Sequence, residues 1–162
     1  MTSILKVSEI QDPTNGNTAL TVDTSGRILQ PNKPAACFHY TGGNLAGAAI
    51  IPLNVQSVLQ GGMTMSSNAI TVPVNGLYMI GWHHLNNATS TYTVVYIRVN
   101  GSGNGVIPNG WANQNKTSHS NSSFTFNTIA PLSANDKVDF YVNSGTVHGN
   151  ADYNSMFVYF LG

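Results

Sequence analysis

Hydrophobic positions recur along this chain with a period of two, in short runs separated by Gly, Asn and Pro, and no window sustains the 3.6-residue period of an amphipathic helix. The pattern predicts an all-β protein. Strands are expected at Ile4–Ile10, Ala19–Val22, Ala36–Tyr40, Ala49–Leu53, Met63–Met65, Ala69–Val72, Gly76–Leu85, Tyr92–Val99, Ser122–Ile129, Lys137–Val142 and Ser155–Leu161. In "GLYMIGWHHL" alternation puts Tyr78, Ile80, Trp82 and His84 on one face and Leu77, Met79, Gly81 and His83 on the other. Both faces are mostly apolar, which suits an inner strand of a two-sheet sandwich whose second face is covered by something else, another subunit being one candidate. The closing "SMFVYFLG" behaves likewise, with Phe157, Tyr159 and Leu161 on one face and Met156, Val158 and Phe160 on the other, so a lone subunit would leave one face bare.

Two segments depart from this pattern. Residues 1–34 carry the turn sequences "DPTNGN" and "DTSGR" between short strands and end in "QPNKP", whose prolines remove amide donors and break a sheet ladder. They read as an appendage ahead of a body spanning 35–162. Too short to make a core of its own, the appendage offers the apolar Ile4, Leu5, Val7 and Ile10 for docking to a partner. Asn100 to Ser123 read as one long polar loop with a single tryptophan. Its Asn109, Trp111, Asn113 and Asn115 suit a sugar, since amides bond hydroxyls and an indole stacks on a ring.

Composition narrows the function. The 162 residues include six basic and six acidic side chains, too few and too balanced to favour nucleic acid or an anionic membrane. Asn, Ser and Thr contribute 50 residues, poor helix formers that suit turns and strand faces. No apolar run approaches the roughly 18 residues of a membrane span, and the N-terminus lacks a basic-then-apolar signal layout. A soluble protein without an export signal is expected. Cys37 is the single cysteine, which excludes an internal disulfide and leaves packing to hold the fold.

Candidate chemistry is sparse. No Asp or Glu occurs between Asp23 and Asp136, a gap of 112 residues, whereas glycoside hydrolysis needs two carboxylates flanking the bond. Asp136, Asp139 and Asp152 are the carboxylates of the body, and no phosphate loop or Gly-x-Ser-x-Gly elbow is present. His83 and His84 are adjacent on a strand, point to opposite sides and cannot chelate one ion together. A three-histidine ring on a symmetry axis is the metal geometry left open. No catalytic residue, metal or cofactor is assigned, and an enzyme is not expected.

The stretch "ITVPVNGLYMIGW" is a Pro-flanked strand followed by G-x-Y and alternating large residues, with Gly76, Tyr78, Ile80 and Trp82 on the motif positions. It resembles the signature of the globular head of complement component one, subunit q, the jelly roll shared with tumour necrosis factor. "IPLNVQSVLQGG", "YIRVNG", "LSANDKVDFYV" and "SMFVYFLG" resemble further motifs of that family, in order, across residues 36–162. Asn135 and Tyr159 stand where the family has Gly, and Ile80 where it has an aromatic. The lead "LKVSEIQDPTNGNTALTVDTSGRILQPNKP" resembles the opening of tailed-phage fibre and appendage proteins. The resemblance implies an antiparallel jelly-roll homotrimer with an interface and core at Tyr78, Ile80, Trp82, Phe157, Tyr159 and Leu161. It further implies a place on the virion surface after assembly in the bacterial cytoplasm, bound to other capsid or tail proteins. The appendage would be capsid decoration (cement) or a short fibre. The alternative is a tail-fibre module that recognises host-surface glycan or protein through its distal loops.

Overall fold

The computed structural model describes residues 7–14, 16, 18–86, 93–101, 111–113 and 122–162. Among these the protein is all-β, with antiparallel pairing throughout and no α-helix. The chain divides into two compact units, Met1–Lys33 and Pro34–Gly162.

The first unit is a three-stranded meander of β1 (Glu9–Gln11), β2 (Thr18–Val22) and β3 (Ile28–Leu29). Its turns follow from their acidic residues. Asp12 Oδ1 accepts the amide of Thr14, and Asp23 Oδ1 accepts the amides of Ser25 and Arg27. Those bonds hold the Asp23 carboxyl below its ordinary range, with the Arg27 guanidinium assisting at 2.6 Å. The register Ile10↔Leu20 and Val22↔Ile28 gathers the four aliphatic side chains on one face, and Ile10, Val22 and Ile28 are exposed. Of the docking candidates, Val7 and Ile10 are exposed, while Ile4 and Leu5 lie outside the described residues.

The second unit contains β4 (Ala35–His39), β5 (Leu45–Ala46), β6 (Ala49–Ile50), β7 (Val55–Gln60), β8 (Thr64–Ser66), β9 (Ala69–Thr71), β10 (Gly76–Leu85), β11 (Val94–Val99), β12 (Trp111–Asn113), β13 (Ser123–Leu132), β14 (Lys137–Ser144), β15 (Thr146–Val147) and β16 (Asn154–Phe160). One sheet has the order β13-β10-β16-β4-β7. The other has the order β12-β11-β14-β9-β8, with β6 also on β14. The core lies between them. Phe38, Tyr78, Ile80, Trp82, Met156 and Val158 from the first sheet meet Ile70, Val95, Ile97, Val138, Phe140 and Val142 from the second.

Three expectations need correction. The run expected as a strand at Ala49–Leu53 is paired only at Ala49–Ile50; Ile51 and Leu53 are buried outside any strand, and the strand proper is β7, an edge strand with a largely polar surface. Asn100 to Ser123 is not loop throughout, because the backbone of Trp111–Asn113 pairs with Val94–Tyr96. Finally, β13 runs through Pro131 to Leu132, since it is the edge of its sheet and a proline there forfeits no inner ladder bond.

Candidate functional site: the outer face of the five-stranded sheet

The site begins with β10. At its start Gly76 has φ +156°, and a Cβ there would stand 2.4 Å from the Phe160 ring and 2.7 Å from the Gly162 carbonyl. The absent side chain lets the closing strand lie against the first turn of β10, where the Leu77 amide donates to Gly162 O at 2.7 Å and the Leu161 amide donates to Leu77 O at 2.8 Å. Tyr78 is fully buried, and its hydroxyl donates to Val74 O at 2.8 Å, so the ring enters the core with its polar end satisfied. Asn135, in place of the glycine of the resembling family, has φ +72°, a left-handed conformation that Asn tolerates better than other non-glycine residues.

Antiparallel register then sorts the candidate interface residues. Tyr78, Ile80 and Trp82 stand opposite Phe160, Val158 and Met156, all on the side facing the other sheet. They are sealed inside the protein's own core, so of the expected interface and core they belong to the core and not to an exposed interface. His84 lies on this inner side too, 2% exposed, so it cannot join a ring on an external axis. Among the described residues no cluster of His, Cys, Asp or Glu is positioned to hold a metal.

Phe157, Tyr159 and Leu161 project the other way. Around them the outer face gathers Leu77, Met79 and Ile129, with Leu77 at 48% and Ile129 at 59% exposure, together with Cys37 and Val58. Ala35, Cys37, Val58, Met79, Phe157 and Tyr159 line a groove of about 410 Å³. Burial in this apolar setting pushes the Cys37 thiol up. Gly81 sits beneath: a Cβ there would come within 2.1 Å of Asn127 Oδ1 and 2.5 Å of the Phe157 ring. The bare backbone at Gly81 therefore lets Phe157 lie flat and shape the groove. Gly81→Val should displace that ring and lower stability by about 1–3 kcal/mol, the cost of overpacking, with a reduced melting temperature as the measured outcome.

The remaining candidates are placed as follows. Trp111 and Asn113 are the ends of β12, paired through their backbones with Tyr96 and Val94, while Asn109 and Asn115 lie outside the described residues. The body's carboxylates do not converge. Asp136 accepts from Asn100 Nδ2 and from the Ser133 amide, and Asp139 is buried against Arg98 at 2.6 Å, with the Arg98 guanidinium 4.2 Å above the Tyr141 ring. Asp152 is in the 3₁₀ turn Ala151–Tyr153. A feature that sequence reasoning missed is the buried amide of Asn154, whose only sequence signal is a polar residue at the inward phase of the closing strand. No protein-family model matches this chain, and no curated protein matches it.

Proposed function

We propose that this chain is a structural protein of a tailed-phage virion, a homotrimeric surface appendage of jelly-roll fold docked to the particle through residues 1–34. The observation that carries the reading is the uncovered apolar face of the five-stranded sheet. A contiguous patch built from Leu77, Met79, Ile129, Phe157, Tyr159 and Leu161 is costly to leave in water and suits an apolar surface of a neighbouring copy of the chain in a closed ring. The strand order supports the jelly roll: the chain crosses repeatedly between the two sheets, staying in one only at β8–β9 and β11–β12, and the first and last long strands, β4 and β16, lie side by side. The phage setting rests on the resemblance of the lead sequence, and the exposed aliphatic face of the β1–β3 meander gives that lead a surface for docking.

Sedimentation velocity at micromolar concentration should give the mass of three chains, and Phe157→Glu should give one. Cys37 supplies an internal probe: it should resist maleimide in the wild-type assembly and react in the Phe157→Glu variant. A monodisperse wild-type monomer would overturn the trimer. Removing residues 1–34 should preserve the trimer and abolish attachment to particles. Images of virions carrying the labelled protein then separate decoration on the head from a fibre on the tail, and a tail location combined with binding to host cells would favour receptor recognition.

A further inference from the structure

Two loops meet at one end of the second unit. Pro34, where that unit begins, lies at the opposite end, its carbonyl accepting the Phe160 amide at 3.0 Å, and β4 carries the chain from there along the five-stranded sheet to Tyr40. The loop after Tyr40 is bonded to the loop ahead of β16: the Gly42 amide donates to Gly149 O at 3.0 Å, and the Gly149 amide donates to Asn44 Oδ1 at 3.2 Å. Asn154 adds a second tie, donating to the carbonyls of both Tyr40 and Asn150. Asn54 closes the first loop on itself through both backbone groups of Thr41. Side chains carried here are therefore held by a fixed backbone, which lowers the ordering cost of binding a ligand.

Those side chains are a flat apolar ring, two donors and an acceptor. Tyr153 is 43% exposed, and its ring stands at right angles to the His148 imidazole with centroids 5.2 Å apart. Asn44 and Asn150 each turn the amide oxygen onto a backbone amide, that of Gly149 and that of Asp152, which leaves each Nδ2 as a donor. Asp152 is exposed beside them, and its carboxylate has no hydrogen-bond partner among the described residues.

We infer that this loop pair is a binding site for an uncharged saccharide, separate from the segment around Trp111. A pyranose joins an apolar face of C–H groups to a rim of hydroxyls. The face stacks on Tyr153, while neighbouring hydroxyls donate to Asp152 and accept from Asn44 or Asn150. Charge selects among sugars: Asp152 is the one carboxylate of residues 40–54 and 144–153, which contain no Lys or Arg, so a sialic acid or a phosphorylated sugar meets a like charge with no cation to offset it. The site lies wholly within the second unit and requires neither the trimer nor the docking. Its place at the end away from Pro34 suits a surface that faces outward when the chain is anchored through residues 1–34.

Titration calorimetry on the full chain, with the methyl glycosides of mannose, galactose, glucose and N-acetylglucosamine and with that of N-acetylneuraminic acid, tests the site. At least one neutral glycoside should bind, and the acidic one should not. Tyr153→Ala and Asp152→Asn should each weaken that binding by about tenfold or more, the loss of one stacking contact or one charge-assisted hydrogen bond. Their melting temperatures should stay close to that of wild type, because both side chains are exposed. Failure of every neutral glycoside to bind overturns the inference, as does tighter binding of the acidic one. Binding that survives both substitutions overturns it too, and its loss in Trp111→Ala would then place the sugar on that segment. None of these results bears on the trimer or on virion attachment, which sedimentation and particle binding test separately.

Discussion

Asn154→Ala should lower the unfolding free energy by about 2–6 kcal/mol, since it strands two buried backbone groups of Tyr40 at roughly 1–3 kcal/mol each. Asn154 is 5% exposed and belongs to the inner face of β16, opposite His84. Its Oδ1 accepts the Tyr40 amide at 2.6 Å, and its Nδ2 donates to Tyr40 O at 2.8 Å and to Asn150 O at 2.7 Å. One side chain therefore replaces a strand partner for Tyr40, just past the end of β4, and ties it to the segment leading into the 3₁₀ turn. Asn150 completes the knot, its Oδ1 accepting the Asp152 amide at 3.0 Å. Alanine removes every one of these partners while leaving the Tyr40 amide and carbonyl buried. Asn154→Asp is the sharper control. It keeps an acceptor for the Tyr40 amide but sets a carboxylate against two carbonyl oxygens, so it should be worse than alanine at pH 7.5 and recover as acid protonates it. Urea unfolding of the three proteins measures both effects; an alanine cost below about 1 kcal/mol, the net value of one ordinary hydrogen bond, would show that water takes over the amide's role.

The strands of this fold were legible in proportion to their depth in the sandwich. β10 reads from Gly76 to Leu85 in the sequence because it is an inner strand, alternating, and opened by Pro and Gly punctuation. β7 and β12 do not, because both are sheet edges: Gln56, Ser57 and Gln60 face solvent, and the backbone pairing of Trp111–Asn113 leaves no apolar rhythm. The candidate interface and core set divides between two faces for a different reason. Alternation shows that Tyr78, Ile80 and Trp82 share a face, and that Phe157, Tyr159 and Leu161 share one, but not that the two sets are opposed. The register that opposes them, Ile80↔Val158 and Gly81↔Phe157, is a property of pairing between strands some eighty residues apart. Gly81 carried the missing signal: a glycine amid large residues marks the face on which an aromatic lies over the backbone.

Between pH 6.5 and 4 acid should weaken the fold of the second unit through His84, and replacing it should flatten that part of the dependence. His84 is stacked on Trp82 with ring centroids 4.5 Å apart and tilted against Phe124 at 5.2 Å, and neither of its ring nitrogens has a hydrogen-bond partner among the described residues. Burial, assisted by the neighbouring His83, pushes its pKa from the ordinary 6.5 down to about 3. The sign follows from the depression. Below pH 6.5 the unfolded chain takes up a proton that the folded chain refuses, so stability is fully present above that pH and is lost as the pH falls toward 3. The slope is about 1.4 kcal/mol per pH unit, for a total of order 5 kcal/mol. His84→Leu should flatten this dependence between pH 6.5 and 4. It should cost little at pH 7.5, because an apolar side chain leaves no buried nitrogen unpaired. Urea midpoints of wild type and variant across that range give the result. Parallel curves would mean that His84 gains a partner in solution, and a variant much less stable at pH 7.5 would mean that its ring nitrogens are bonded there.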